Sequence, residues 1–132
     1  MTDTTLLNSD QLFDDPRTPE DEALRFYAHI VHCMNNEICK LNNEQTIEWK
    51  DLPDYMLEGL KGAVWSGRTP RESHEAWMQD RLANGWVLGP VKSIENKVSP
   101  CLVPYDKLPY SQKVKDCLVT GMNEFLKTLY KR

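Results

Sequence analysis

The sequence predicts a mainly α-helical single domain with a short extended segment between its last two helices. Three observations point there. Apolar residues recur three or four positions apart in separate stretches, the repeat of a helix with one buried face. Two Thr-Pro runs followed by acids, Thr18-Pro19-Glu20-Asp21 and Thr69-Pro70-Arg71-Glu72, have the chemistry of helix starts. Pro100 and Pro104 each push the residue before them out of helical geometry, so Val98 to Tyr105 reads as extended.

Residues 1–17 are polar apart from Leu6, Leu7, Leu12 and Phe13, and are expected to form a flexible N-terminal arm that stays loose or docks on the domain or on a second subunit. The domain itself is expected to span residues 18–132. In its first helix Thr18 caps, Pro19 takes the first helical position, and Ala23, Tyr27, Ile30, Val31 and Met34 form the buried face. Asn35-Asn36 is expected to end or loosen it. Leu41 to Trp49 reads as a polar connection. A second helix is expected from about Pro53 to Ser66, with Met56, Leu60, Ala63 and Val64 inward and Gly67 at its C-terminal cap.

Thr69 and Glu72 have the spacing of a capping box, so a third helix should run to about Asn84 and stop at Gly85. Trp86 to Leu88 reads as a short strand. The last helix is expected from about Ser111 to Tyr130. Its buried face is read as Val114, Cys117, Leu118, Met122, Phe125, Leu126 and Leu129.

A chain of 132 residues is one domain by size and can bury a core without staples. With 40% hydrophobic and 27% charged residues and a net charge of −4, it lacks the basic surplus of a nucleic-acid binder. No apolar run reaches membrane-spanning length, and Met1 to Thr5 does not have the pattern of a signal peptide. A cytoplasmic protein is expected, with Cys33, Cys39, Cys101 and Cys117 as reduced thiols.

His74, Trp77, Met78 and Arg81 share one face of the third helix. An indole beside a guanidinium can stack a flat ring and fork onto its anionic tail. The plainer alternative buries Trp77 in the core and pairs Arg81 with an acid such as Asp80, and spacing alone favours it. Trp86 reads as a core anchor locking the third helix to the last. Tyr105 stands evenly between pocket wall and core closure. Lys92 and Lys97 flank a polar turn and read as solvated.

His29, His32, Cys33 and Cys39 have spacings that can ligate zinc, but no second close-spaced pair follows, so packing is the better reading. There is no Gly-rich phosphate loop and no Gly-x-Ser-x-Gly elbow. Ser73, the serine next to a histidine, sits where helix starts are capped. Catalysis therefore has little support, and no cofactor is expected.

The order His74-Glu75-Ala76-Trp77, then Asn84-Gly85-Trp86-Val87-Leu88-Gly89, then Ser99-Pro100-Cys101-Leu102-Val103-Pro104-Tyr105, resembles the ryanodine-receptor repeat, the RyR domain. The similarity covers about Ser73 to Tyr130. Residues 20–70, with Trp49, resemble the extra N-terminal helices of stand-alone bacterial and phage members. In the receptor's paired repeats an adenine nucleotide lies between two tryptophans at the position matched here by Trp77. The resemblance assigns Arg81 to the ligand and places Ser99, Pro100 and Cys101 in the loop lining the cleft. Two positions depart from the pattern: Ser99 replaces a usual His, removing a proton donor, and Leu88 replaces a usual Tyr.

What the resemblance implies is a non-catalytic binding module for an adenine nucleotide or nucleotide-derived signal, acting as sensor or sponge. Its expected ligand-binding residues are Trp77, Arg81, His74, Ser99, Cys101 and Tyr105. One repeat supplies one helix tryptophan, so a homodimer is the economical way to complete a two-tryptophan cleft. The alternatives are a protein-interaction module using exposed tryptophans and, third, a nucleotide-processing enzyme.

Overall fold

The computed structural model describes residues 19–131; the expected N-terminal arm and the Thr18 cap lie outside the described residues. Four α-helices follow in order: α1 (Asp21–Leu41), α2 (Asp54–Trp65), α3 (Pro70–Ala83) and α4 (Tyr110–Tyr130). Two short strands, β1 (Val87–Leu88) and β2 (Val98–Ser99), lie between α3 and α4. One-turn 3₁₀ helices cover Trp49–Asp51 and Tyr105–Lys107.

The α1 helix starts with Glu20 as its N-cap, one residue beyond the buried Pro19, and Asp21 and Glu22 place negative charge at its positive end. It does not end at Asn35-Asn36, as the sequence led us to expect. The connection after Leu41 folds back along the helix, and Asn36 donates through Nδ2 to the Ile47 carbonyl at 2.9 Å. A distant acceptor thus removes the side chain's competition with its own backbone, and the helix continues for another turn and a half.

The expected capping box opens α3: the Glu72 N–H donates to Thr69 Oγ1 at 3.2 Å and the Thr69 N–H to Glu72 Oε1 at 2.9 Å. Gly67 and Gly85 follow α2 and α3 with φ of 72° and 88°, left-handed geometry that glycine adopts without a Cβ penalty.

One apolar cluster joins α1, α2 and α4 through Tyr27, Val31, Val64, Leu126 and Tyr130. The Tyr27 and Tyr130 hydroxyls lie 3.4 Å apart, and Trp65 meets Tyr130 edge-on at 5.5 Å. At its margin the buried Lys61 ammonium pairs with Asp21 and with Glu58. The Asp21 hydrogen bond raises the lysine's pKa above its ordinary value against the opposing effect of burial.

The helix faces differ in part from the periodic reading. Ile30 and Met34 are 38% and 40% exposed, and Val114 and Phe125 are 40% and 51% exposed. Cys117 is exposed too. The inner face of α4 instead carries polar residues, Asn123 among them, so an apolar pattern draws its stripe off axis. Asn123 is fully engaged: Nδ2 donates to the Ala63 and Val119 carbonyls at 3.1 and 3.0 Å, and Oδ1 accepts the Gly67 N–H at 2.8 Å.

A second cluster centres on Met56, Trp86 and Leu102, with Ile47, Leu52, Tyr55, Trp77, Met78 and Ile94 against it. Trp86 is a core anchor as expected, but to α2: its Nε1–H donates to the Tyr55 hydroxyl at 2.9 Å, and the cluster contains no α4 residue. The strands pair in parallel, Val87 with Val98 and Leu88 with Ser99. A Cβ at Gly89 would collide with Val98 Cγ1, so glycine permits this close approach. After Ser99 the chain turns at residues 100–101 rather than staying extended to Tyr105, because the Cys101 N–H donates back to Ser99 Oγ at 3.1 Å; the 3₁₀ helix at Tyr105–Lys107 then leads into α4.

Candidate functional site

All four helices contribute to the lining of a cavity of about 520 Å³, closed by the segments around Glu44–Ile47 and Lys92–Cys101. This is the size of a small-molecule site.

The α3 wall is a ladder of residues four apart. Ser73, Trp77 and Arg81 follow one another along it, with His74 beside them. The Arg81 guanidinium lies 5.4 Å from the Trp77 ring centre, 5.6 Å from Trp86 and 5.7 Å from Tyr55. Its closest anion is Asp80 Oδ2 at 3.4 Å, a long contact for an ion pair. Burial pushes its pKa down, with Tyr55 and Asp80 opposing. The three rings offset part of the desolvation of the charge and leave its forked donors short of a good acceptor.

His74 is 2% exposed; its Nε2 is 2.7 Å from the Val103 carbonyl and its ring stacks on Trp77 at 5.5 Å. The Nε2–H therefore donates to that carbonyl. The other ring nitrogen, Nδ1, faces Asp116 Oδ2 at 3.9 Å, beyond hydrogen-bonding distance.

On the α4 wall, Gln112, Lys115, Asp116 and Val119 face the cavity. Glu44 sits opposite and accepts from Lys115 Nζ at 2.7 Å, Gln112 Nε2 at 2.7 Å and Asn42 Nδ2 at 3.1 Å. Burial pushes the Glu44 carboxyl up, but the Lys115 and Gln112 hydrogen bonds and the Lys115 charge more than offset it, so its pKa is lowered. Lys92 lies 3.8 Å from the same carboxylate and donates to the Gln45 carbonyl at 3.0 Å. Two ammonium groups thus share one carboxylate. Asp116 makes no such ion pair, and burial raises its pKa to about 7 against the opposing charge of Lys115.

Of the residues singled out from sequence, Trp77, Arg81, His74, Ser99 and Cys101 all line the cavity. Ser99 is buried, and its Oγ accepts the Cys101 N–H at 3.1 Å. The Cys101 thiol donates to Gln112 Oε1 at 3.2 Å, and burial pushes its pKa up, which keeps it a thiol. Tyr105 stands behind His74, off the cavity wall, with the Arg71 guanidinium at 5.0 Å and Lys113 Nζ at 4.9 Å from its ring centre. Lys92 faces inward instead of being solvated, whereas Lys97 is exposed and donates to the Asn84 carbonyl at 3.0 Å.

Sequence reasoning missed Glu44, Gln112, Lys115, Asp116 and Ser73. The available signal was the spacing of Gln112, Asp116 and Val119, which places two polar side chains on one helix face. Glu44 had little local signal, because its α4 partners Gln112 and Lys115 lie 68 and 71 residues away.

His29 stacks on Trp49 at 4.4 Å, and His32 Nε2 lies 2.6 Å from the Ile47 carbonyl. Among the described residues no group of three His, Cys, Asp or Glu side chains could hold a metal. The four cysteines are free thiols, and all four tryptophans are buried or half-buried. Among the described residues no helix is long and apolar enough to cross a membrane.

The family model described as the RyR domain matches residues 67–131, which span α3, both strands and α4. No solved structure matches the chain.

Proposed function

We propose that this protein, which belongs to the RyR domain family through residues 67–131, binds a small aromatic anion in the four-helix cavity, an adenine nucleotide or a nucleotide-derived signal, without transforming it. The observation that carries the reading is Arg81, a desolvated cation held among Tyr55, Trp77 and Trp86 with only a long contact to Asp80. A phosphate is the acceptor that fits its fork, and Trp77 offers the stacking surface. The protein would serve as a sensor or as a sponge that lowers free ligand, in the cytoplasm where its free thiols persist.

The test is a thermal melt with AMP, ATP and NAD, using adenosine as the uncharged control. A ligand that binds only the folded state raises the melting temperature. Trp77→Ala should lose ~1–3 kcal/mol of binding, the worth of a stacking platform. Arg81→Ala should weaken AMP more than adenosine. A protein whose melt none of the four compounds moves does not have this function. Docking of a partner protein through tryptophans would then be tested next, although all four are buried or half-buried.

The homodimer is a separate proposal. Sedimentation at micromolar concentration distinguishes it from a 15.3 kDa monomer. Since one chain already lines the cavity, a monomer would leave the ligand reading standing and remove only the shared cleft.

A further inference from the structure

Two polar groups on the cavity wall lack hydrogen-bond partners. Ser73 is 6% exposed, and its Oγ is buried without a partner in the structure. Such a hydroxyl costs stability unless something arrives to bond it. Asp116 lies on the facing helix with its side chain 15% exposed, and the nearest basic side-chain atom is His74 Nδ1 at 3.9 Å, beyond hydrogen-bonding distance. Both line the cavity beside Trp77.

We propose that Asp116, with Ser73, reads the hydrogen-bonding edge of the ligand's base, and that Asp116 does so as the neutral acid, so that the protein keeps a proton when the ligand binds. The proposal rests on the nucleotide reading above and deepens it. A neutral carboxyl presents one O–H donor and one C=O acceptor. Adenine's edge presents a ring-nitrogen acceptor beside an amino donor, which is the complement. Guanine's edge presents two adjacent donors, which a carboxylate would match.

The surroundings of Asp116 fit the neutral form. From α3 it faces His74, and Asp80 and Arg81 stand further along the same wall. From its own helix, the Lys115 ammonium is taken by Glu44, with Lys113 and Cys117 as flanking residues. Tyr105 lies beyond His74, and Cys101 is held as a thiol by burial. The cavity's remaining titratable groups are Lys92, itself near Glu44, His32 and Cys39 on α1, Glu58 on α2, and Arg68 in the turn before α3. Among the described residues no lysine or arginine nitrogen lies within ion-pair distance of Asp116, and the Lys115 charge acts on it only from beyond that distance. Burial accordingly raises its pKa to about 7.

The probes are 3′,5′-cyclic AMP and 3′,5′-cyclic GMP, whose phosphodiesters do not titrate between pH 6 and 8. Cyclic AMP affinity should fall about tenfold from pH 6 to pH 8 as the neutral acid is lost, and cyclic GMP should not follow it. Asp116→Asn keeps one donor and one acceptor at every pH, so it should bind cyclic AMP as the wild type does at pH 6, with a flat profile. Ser73→Ala removes a hydroxyl that bonds nothing in the protein; it should fold as well as the wild type and bind several-fold more weakly at both pH values. A wild-type profile that is flat, or an unchanged slope in Asp116→Asn, overturns the proposal while leaving nucleotide binding intact. No binding of either probe at either pH, together with no melt shift from AMP, ATP or NAD, brings down both readings.

Discussion

The two halves of the molecule use their aromatic residues for different ends. Between α1, α2 and α4, Tyr27, Trp65 and Tyr130 meet edge to face, and two tyrosine hydroxyls approach each other. Every contact there is internal, and each such ring pair adds about 0.5–1.5 kcal/mol beyond the area it buries. Between α2, α3 and the extended segment, Tyr55, Trp77 and Trp86 surround a guanidinium instead. Desolvating that charge costs several kcal/mol, and cation–π contacts of ~2 kcal/mol offset only part of it. The first half is packed for stability. The second holds a desolvated cation at the cavity wall, with Asp80 at 3.4 Å as its nearest carboxylate.

The largest expected effect would break the packed half. Leu126 is fully buried, so Leu126→Ala should cost ~3 kcal/mol in urea denaturation. A loss below about 1 kcal/mol would mean that the cluster is not the stabilising centre of the fold.

A middle-sized effect separates the halves by pH. The folded-state pKa of Asp116 lies above its unfolded value, so the folded protein holds more protons between the two. Stability should therefore fall as pH rises from about 4 to about 7, then level off. A shift from 3.8 to about 7 carries at most about 4 kcal/mol, and solvent reaching this 15% exposed side chain roughly halves it, so at pH 8 Asp116→Asn should be ~2 kcal/mol more stable than the wild type, and at pH 3.5 nearly equal to it. Equal stability at both pH values would show that Asp116 is well solvated.

The smallest effect concerns how α3 is held. Thr69→Ala removes one side of the capping box and should cost ~1 kcal/mol. Because α3 carries Ser73, Trp77 and Arg81, the informative measurement is ligand affinity at a temperature where the variant stays folded. A loss of affinity there would tie the site's geometry to the start of its helix.

Much of the architecture was legible in the chain. The Thr69–Glu72 box, Gly67 and Gly85 are local chemistry, and local chemistry sets the ends of α2 and α3, whereas the Pro100 and Pro104 signals overstated how far the chain stays extended. The α1 terminus was not legible, because Asn36 is stabilised by a carbonyl eleven residues away. The α3 side of the cavity could be read from the spacing of His74, Trp77 and Arg81 and from the family resemblance. The α4 side could not. Gln112, Lys115 and Asp116 look like a solvated stripe until Glu44 and His74 are brought against them. Exposure of Val114 and Phe125 follows from the same cause, since the polar stripe takes the inward position that apolar spacing would assign to them.

Asn123 has a consequence for how the molecule moves. Its amide ties the Gly67 N–H and the Ala63 carbonyl, at the end of α2, to the middle of α4. The same helix forms one wall of the cavity and one side of the packed cluster. The turn that launches α3 therefore cannot detach without breaking a buried amide's bonds. In hydrogen exchange the Gly67 amide should exchange with the slow helical amides although it lies in a loop. A ligand seated against Trp77 should slow exchange at Val64 and Leu126 as well as along α3, because the two halves open as one cooperative unit.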